Sequence, residues 1–144
     1  MLTIKIVAVG TLKEKFYVDA VAEYVKRLSK YCKLEIIQVK ESDIKKECEE
    51  IRDKLKGHVI LCDLRGELVS SEGFAQKIEK LQMATSTISI VIGGSEGVGN
   101  YLDDVIDEWM SFGKITLPHQ LFRVVLVEQI YRAFTILKGE KYHK

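Results

Sequence analysis

A chain of 144 residues that is 47% apolar and 30% charged has the composition of a soluble globular protein with room for a single core, over residues 1–144. Its longest apolar runs, Ile4–Val9 broken by Lys5 and Val124–Val127, fall far short of a membrane span. The first residues enter a strand pattern directly, with no basic leader, hydrophobic stretch and small-residue cleavage site, so a cytoplasmic protein is expected. The net charge of +1 covers an asymmetry: eight Lys and Arg against four Asp and Glu in residues 1–40, three against nine in 57–110, six against two in 111–144. Basic ends suit an anionic polymer if the fold brings them together, and are otherwise a solvated face.

Hydrophobic periodicity then alternates along the chain. Thr3–Val9 reads as a buried strand ending at Gly10. Lys13–Lys30, with Val18, Val21, Ala22, Val25 and Leu28 on one side, reads as a helix. Leu34–Val39 is a second strand. Ser42 and Asp43 offer a cap for a charged helix that reaches Lys56 and stops at Gly57. Val59–Leu64 is a third strand, Arg65-Gly66 a turn, and Ser70, Ser71 and Glu72 open a helix running to about Ala84. Thr87–Ile92 is a β-branched strand, followed by a loop, Gly93–Gly99, and a helix over Tyr101–Met110. Phe112–Thr116 is a short strand, and the last helix covers Gln120–Lys138 after a Leu117-Pro118-His119 corner. Five strands and five helices in alternation imply an α/β fold whose mostly parallel sheet is flanked by helices.

Three places carry chemistry. The loop Gly93-Gly94-Ser95-Glu96-Gly97-Val98-Gly99 follows a strand, where open α/β sheets bind ligands. It lacks the G-K-[ST] ending of a P-loop and the G-x-G-x-x-G spacing of a dinucleotide site, and Glu96 would repel a phosphate. It is either a pocket for a ligand other than a polyphosphate or a glycine turn with none. A second strand-to-helix corner, Phe112–Gln120, holds the only proline, which suits a helix entry. Two such corners could offer backbone N–H and C=O groups to a flat ring between them. His119 is either a helix-entry hydrogen-bonding residue or a substrate contact.

The last helix is apolar nearly all round, as expected of one buried on two sides, which points to a two-fold dimer. Glu128 and Arg132 are spaced for an ion pair, while Arg123 and Arg132 face opposite ways and could serve only different sites. The end, Tyr142-His143-Lys144, is either frayed or able to stack on a base, move a proton and contact phosphate. Cys32, Cys48 and Cys62 are unclustered, which argues against disulfides and a zinc site.

In Ile6-Val7-Ala8-Val9-Gly10, Val91–Gly97, Thr116–Gln120, Arg123–Phe134 and Tyr142-His143-Lys144, the chain closely resembles the ribosomal RNA large-subunit methyltransferase H family of the SPOUT (α/β-knot) methyltransferases. The resemblance spans essentially the whole chain. It implies a homodimer with a trefoil-knotted carboxyl-terminal region, acting on assembled ribosomes to methylate N3 of a pseudouridine in 23S rRNA with S-adenosylmethionine. The donor pocket it implies is lined by Cys62, Gly93, Phe112, Gly113, Lys114, Ile115, Thr116 and Leu117. The family commonly has Leu at the position of Cys62, and the stretch around Lys40–Ser42 is shorter than its usual length. No metal is required, because the donor's methyl group is already activated. His119, Arg132, Tyr142 and His143 are the expected catalytic residues. Arg132 would orient the uracil carbonyls or stabilise a developing N3 anion, Tyr142 would stack on or orient the base, and His143 would accept the proton. The rival readings are a SPOUT enzyme acting on tRNA or a ribose hydroxyl, and a non-enzymatic RNA-binding module.

Overall fold

A computed structural model describes residues 1–144 and builds them around a five-stranded sheet. The strands β1 (Thr3–Val9), β2 (Lys33–Val39), β3 (His58–Leu68), β4 (Thr87–Ile92) and β5 (Glu108–Ser111) lie in the order β2-β1-β4-β3-β5. Every neighbouring pair is parallel. Four helices cover the sheet: α1 (Lys15–Leu28), α2 (Ile44–Lys54), α3 (Ser71–Ala84) and α4 (His119–Leu137).

Period-two alternation sorts the strand residues. Ile4, Ile6, Ala8, Ile60, Ile88, Ile90 and Ile92 pack on one face with Phe74 and Ile78 of α3, Leu126 and Ile130 of α4, and Val21 and Leu28 of α1. Val7, Val9, Val59, Leu61 and Val91 pack on the other with Cys48 and Ile51 of α2 and with Val98 and Leu102. Burying one such side chain is worth about 2 kcal/mol, so a one-residue slip, which would exchange the two sets, is strongly disfavoured. Asp43 and Ser70 cap α2 and α3 by accepting from the backbone N–H of Lys46 and Gly73 at 2.9 and 3.0 Å.

Three local expectations are corrected. Tyr101–Met110 is not a helix: residues 99–105 are turns, and Glu108–Ser111 joins the sheet beside β3. Its apolar spacing does serve the core through Leu102, Val105, Ile106 and Trp109. The Asp107 carboxylate, however, accepts from Val59 N–H at 2.8 Å and starts an edge strand, so tertiary pairing overrides the helical period. Phe112–Thr116 is not a strand, because the chain leaves the sheet after Ser111, whose Oγ accepts from Gly113 N–H and donates to Gly113 O. Arg65-Gly66 does not end β3. Pairing with β5 is broken between Cys62 and Glu67 and then resumes, and a Cβ on Gly66 would lie 2.4 Å from Met110 N. Glycine is needed there for close strand approach.

The tail is not frayed. At the end of α4, Gly139 (φ +67°) donates to Ile136 O and Glu140 N–H to Thr135 O, the paired bonds of a Schellman turn. This turn sends the last residues back along the helix. No helix is long and apolar enough to cross a membrane.

Candidate active site

Because all strands are parallel, their carboxyl ends share one rim, and a cavity of about 720 Å³ opens there over β4, β3 and β5. That volume is in the range of small-molecule sites. Three segments wall it, each set by local sequence.

The first is the glycine loop. Gly97 N–H donates to Gly94 O at 2.9 Å, and Gly97 takes φ +74°. A Cβ on Gly93 would meet Gly97 C and Val98 Cγ1 at 3.1 Å, so the loop folds tightly on itself. The second is the interrupted end of β3, which brings Cys62, Asp63 and Leu64 to the wall. Burial pushes the Cys62 thiol up to about 12, so it is a thiol at neutral pH and not a nucleophile. Asp63 accepts from the Arg65 backbone N–H and from Arg65 Nε at 2.8 and 2.9 Å, and this pairing holds its carboxyl below the usual range. Arg65 in turn lies over the Trp109 ring at 4.7 Å.

The third wall is Met110–His119 with Phe122 and Val125 of α4. Phe112 is fixed between Phe74 and Phe122, with ring centroids 5.6 and 5.5 Å away. The residues after it are open: Lys114, Ile115, Thr116 and Leu117 take part in no backbone–backbone hydrogen bond. Lys114, Ile115 and Thr116 are solvent-exposed and Leu117 is half-buried, so their backbone N–H and C=O groups face water and are free to take a polar ligand. Lys114 and His119 are the basic side chains on this lining and Asp63 the acidic one. The residues fit a compact, mainly apolar molecule with amide-like hydrogen-bonding edges and mixed charge.

Nine of the expected site residues therefore line one cavity: Cys62, Gly93, Phe112, Gly113, Lys114, Ile115, Thr116, Leu117 and His119. Arg132, Tyr142 and His143 do not. They form a second cluster on α4, thirteen residues or about 20 Å along the helix axis from His119. Here Arg132 NH2 donates to Glu128 Oε2 at 2.7 Å, confirming the i,i+4 pair, and its guanidinium lies 4.8 Å from the Tyr142 ring centroid. Tyr142 OH donates to Glu128 at 2.8 Å, and its ring meets Tyr131 edge-on. Burial, then hydrogen bonds to Tyr24 and Glu128, push the Tyr142 phenol well up, so it stays neutral.

His143 is held at both nitrogens: Nδ1 lies 3.1 Å from Arg132 NH1 and Nε2 2.5 Å from Glu72 Oε1. A guanidinium has only donors. Nδ1 therefore presents its lone pair to Arg132, and Nε2 carries the hydrogen toward Glu72. Glu72 and Tyr24 were not legible as members of this cluster, because they come from α3 and α1 and carry no spacing signal toward the tail. Arg123 proves structural. It is 1% exposed and donates to Gln38 Oε1, Val9 O and Gly10 O.

A parallel α/β sheet whose rim cavity lies at the carboxyl ends of its strands is the frame of a small-molecule-binding α/β protein, and sequence comparison supplies the chemistry. Residues 2–143 match the family model described as "Predicted SPOUT methyltransferase". Curated relatives bearing the name ribosomal RNA large subunit methyltransferase H match end to end. That of Clostridium botulinum is 47% identical over 99% of this chain and 100% of its own. Those of Latilactobacillus sakei and Caldicellulosiruptor saccharolyticus are 46% and 42% identical, over 99% and 98% of this chain and 100% and 99% of theirs. The chain belongs to the SPOUT methyltransferases and, within them, to the ribosomal RNA large subunit methyltransferase H family. Among solved structures, the SpoU methyltransferase AviRb of Streptomyces viridochromogenes aligns with a TM-score of 0.46 at 8% identity, over 98% of this chain and 62% of that one.

Proposed function

We propose that this protein methylates N3 of a pseudouridine in 23S rRNA, with S-adenosylmethionine as methyl donor, and works as a homodimer. The observation that carries the reading is the rim cavity whose 114–117 wall leaves its backbone groups unpaired. Family membership makes a methyl donor the fitting occupant.

The donor supplies an electrophilic methyl group on a sulfonium, so N3 gains a bond to carbon, the carbon–sulfur bond breaks, and the N3 proton must leave. The chain's residues do the rest. The backbone of Lys114–Leu117 and the Gly93 loop would hold the adenine, and the Cys62 end of β3 would close the pocket. Arg132 would orient the uracil carbonyls, and Tyr142, a neutral phenol, would orient the base. His143 can take the N3 proton only after its Nδ1 lone pair is released from Arg132. Substrate binding, by turning Arg132 toward the base, would do this. Proton acceptance of this kind is worth roughly 10²–10⁴-fold, and positioning supplies much of the remaining acceleration.

The separation of the two clusters along α4 supports a dimer in which one protomer's tail serves its partner's cavity. Leu121 and Val124, which lie outside the cavity lining, remain only half-buried on α4, as an interface helix would leave them. Mass spectrometry of 23S rRNA from cells lacking the gene tests the reaction. Loss of one methylpseudouridine is expected, and its retention would refute the assigned substrate.

A further inference from the structure

A second cleft, of about 350 Å³, lies on the same rim as the donor cavity, over the carboxyl ends of β1 and β2. Its lining is Gly10, Thr11, Lys13, Gln38, Val39, Lys40 and Glu41. Arg123 stands directly behind it. Its guanidinium donates to Gln38 Oε1 at 3.0 Å and to Gly10 O at 3.1 Å, and both residues line the cleft. No carboxylate answers its charge, and Nε has no hydrogen-bond partner at all. Burial accordingly depresses the Arg123 pKa, which marks a charge under-compensated within the protein. Lys13 and Lys40 are exposed on the cleft, and neither is held in a salt bridge of the kind that occupies Lys15, Lys33 and Lys46.

We infer that this cleft is a phosphate subsite for the RNA strand: Lys13 and Lys40 contact a backbone phosphodiester close to the target nucleotide, and the buried Arg123 supplies a fixed positive field behind it. The reading rests on the proposed reaction at the neighbouring cavity. Position supports it. Parallel strands are about 4.8 Å apart, so the cleft over β2 and β1 sits roughly 10–15 Å from the cavity over β4, β3 and β5, within reach of a few nucleotides. Glu41 is the opposing charge. Its Oε1 lies 2.9 Å from where a Gly10 Cβ would stand, so it shares the cleft and would weaken anion binding.

Arg123 braces the fold, so the exposed residues are the probes. Large ribosomal subunits are incubated with wild-type protein, Lys13→Gln/Lys40→Gln, or Glu41→Gln, and co-sedimentation and methyl transfer are measured across a salt series. The double variant is expected to bind at least about tenfold more weakly and to lose about one phosphate's worth of the salt slope. Its affinity for S-adenosylmethionine by calorimetry should be unchanged, and Glu41→Gln should bind more tightly than wild type. Equal binding and an equal salt slope for the double variant would overturn the subsite. Salt-dependent binding by wild type with no methyl transfer would count against the proposed reaction and leave the loss of binding in the double variant to decide the subsite.

Discussion

The two halves of the proposed site are built on opposite plans. Around the donor cavity, Lys114–Leu117 leave their backbone groups unpaired, and His119 faces the cavity without a hydrogen bond from its side chain. Around the tail, Arg132, Tyr142 and His143 are each engaged, by Glu128, Tyr24 and Glu72. On the proposed function, the difference separates mutations into those expected to cost donor affinity and those expected to cost only turnover.

The largest effect should come from the closed cluster. Arg132→Ala is expected to lower single-turnover methylation of large ribosomal subunits about 10³-fold while leaving donor affinity by calorimetry unchanged. Mixing it with a cavity variant, Gly93→Val, should restore activity at about a quarter of all sites, because only heterodimers pair an intact cavity with an intact tail. No recovery would mean that tail and cavity do not meet across a dimer. His143→Ala should slow the chemical step about 10²-fold and flatten its pH dependence. An unchanged pH–rate profile would remove His143 as the proton acceptor.

The open half should respond in binding instead. Gly93→Ala puts a methyl group 3.1 Å from Gly97 C and Val98 Cγ1, and donor affinity should fall about tenfold with the tail cluster intact. Smaller still is an effect on the strand that carries the open wall. Burial opposes ionisation of Glu108, but hydrogen bonds from Lys77 and His58 outweigh it and hold the carboxyl below its ordinary value of 4.5. The folded state thus favours the carboxylate. Its contribution is complete above that value and drains away as pH falls through the lower folded-state pKa. Glu108→Gln should cost about 1 kcal/mol in urea melts at pH 7, and the gap from wild type should narrow toward pH 3. Last, Cys62→Leu should change donor affinity by no more than about twofold, since the Cys62 thiol serves only as a small apolar wall.

Much of this was legible in the residues. Strand alternation, the Asp43 and Ser70 caps, and the glycine loop and Pro118 corner are local signals, because each reports what a short stretch of backbone can do. The segment from Tyr101 to Ser111 misled, since its helical spacing was outweighed by the sheet's need for an edge strand beside β3. Pairing of that kind depends on residues some fifty positions away and leaves no local mark.

By itself, then, the sequence determined the α/β class and the mostly parallel sheet, because periodicity and turn chemistry act within a few residues, while the family resemblance pointed to the residues that line the rim cavity. The fold alone decided the rest. It put Arg123 behind β1 as a buried brace, turned the tail back through Gly139, and closed Arg132, Tyr142 and His143 onto Glu128, Tyr24 and Glu72. Those partners come from three helices, and only packing on a common sheet face brings them together.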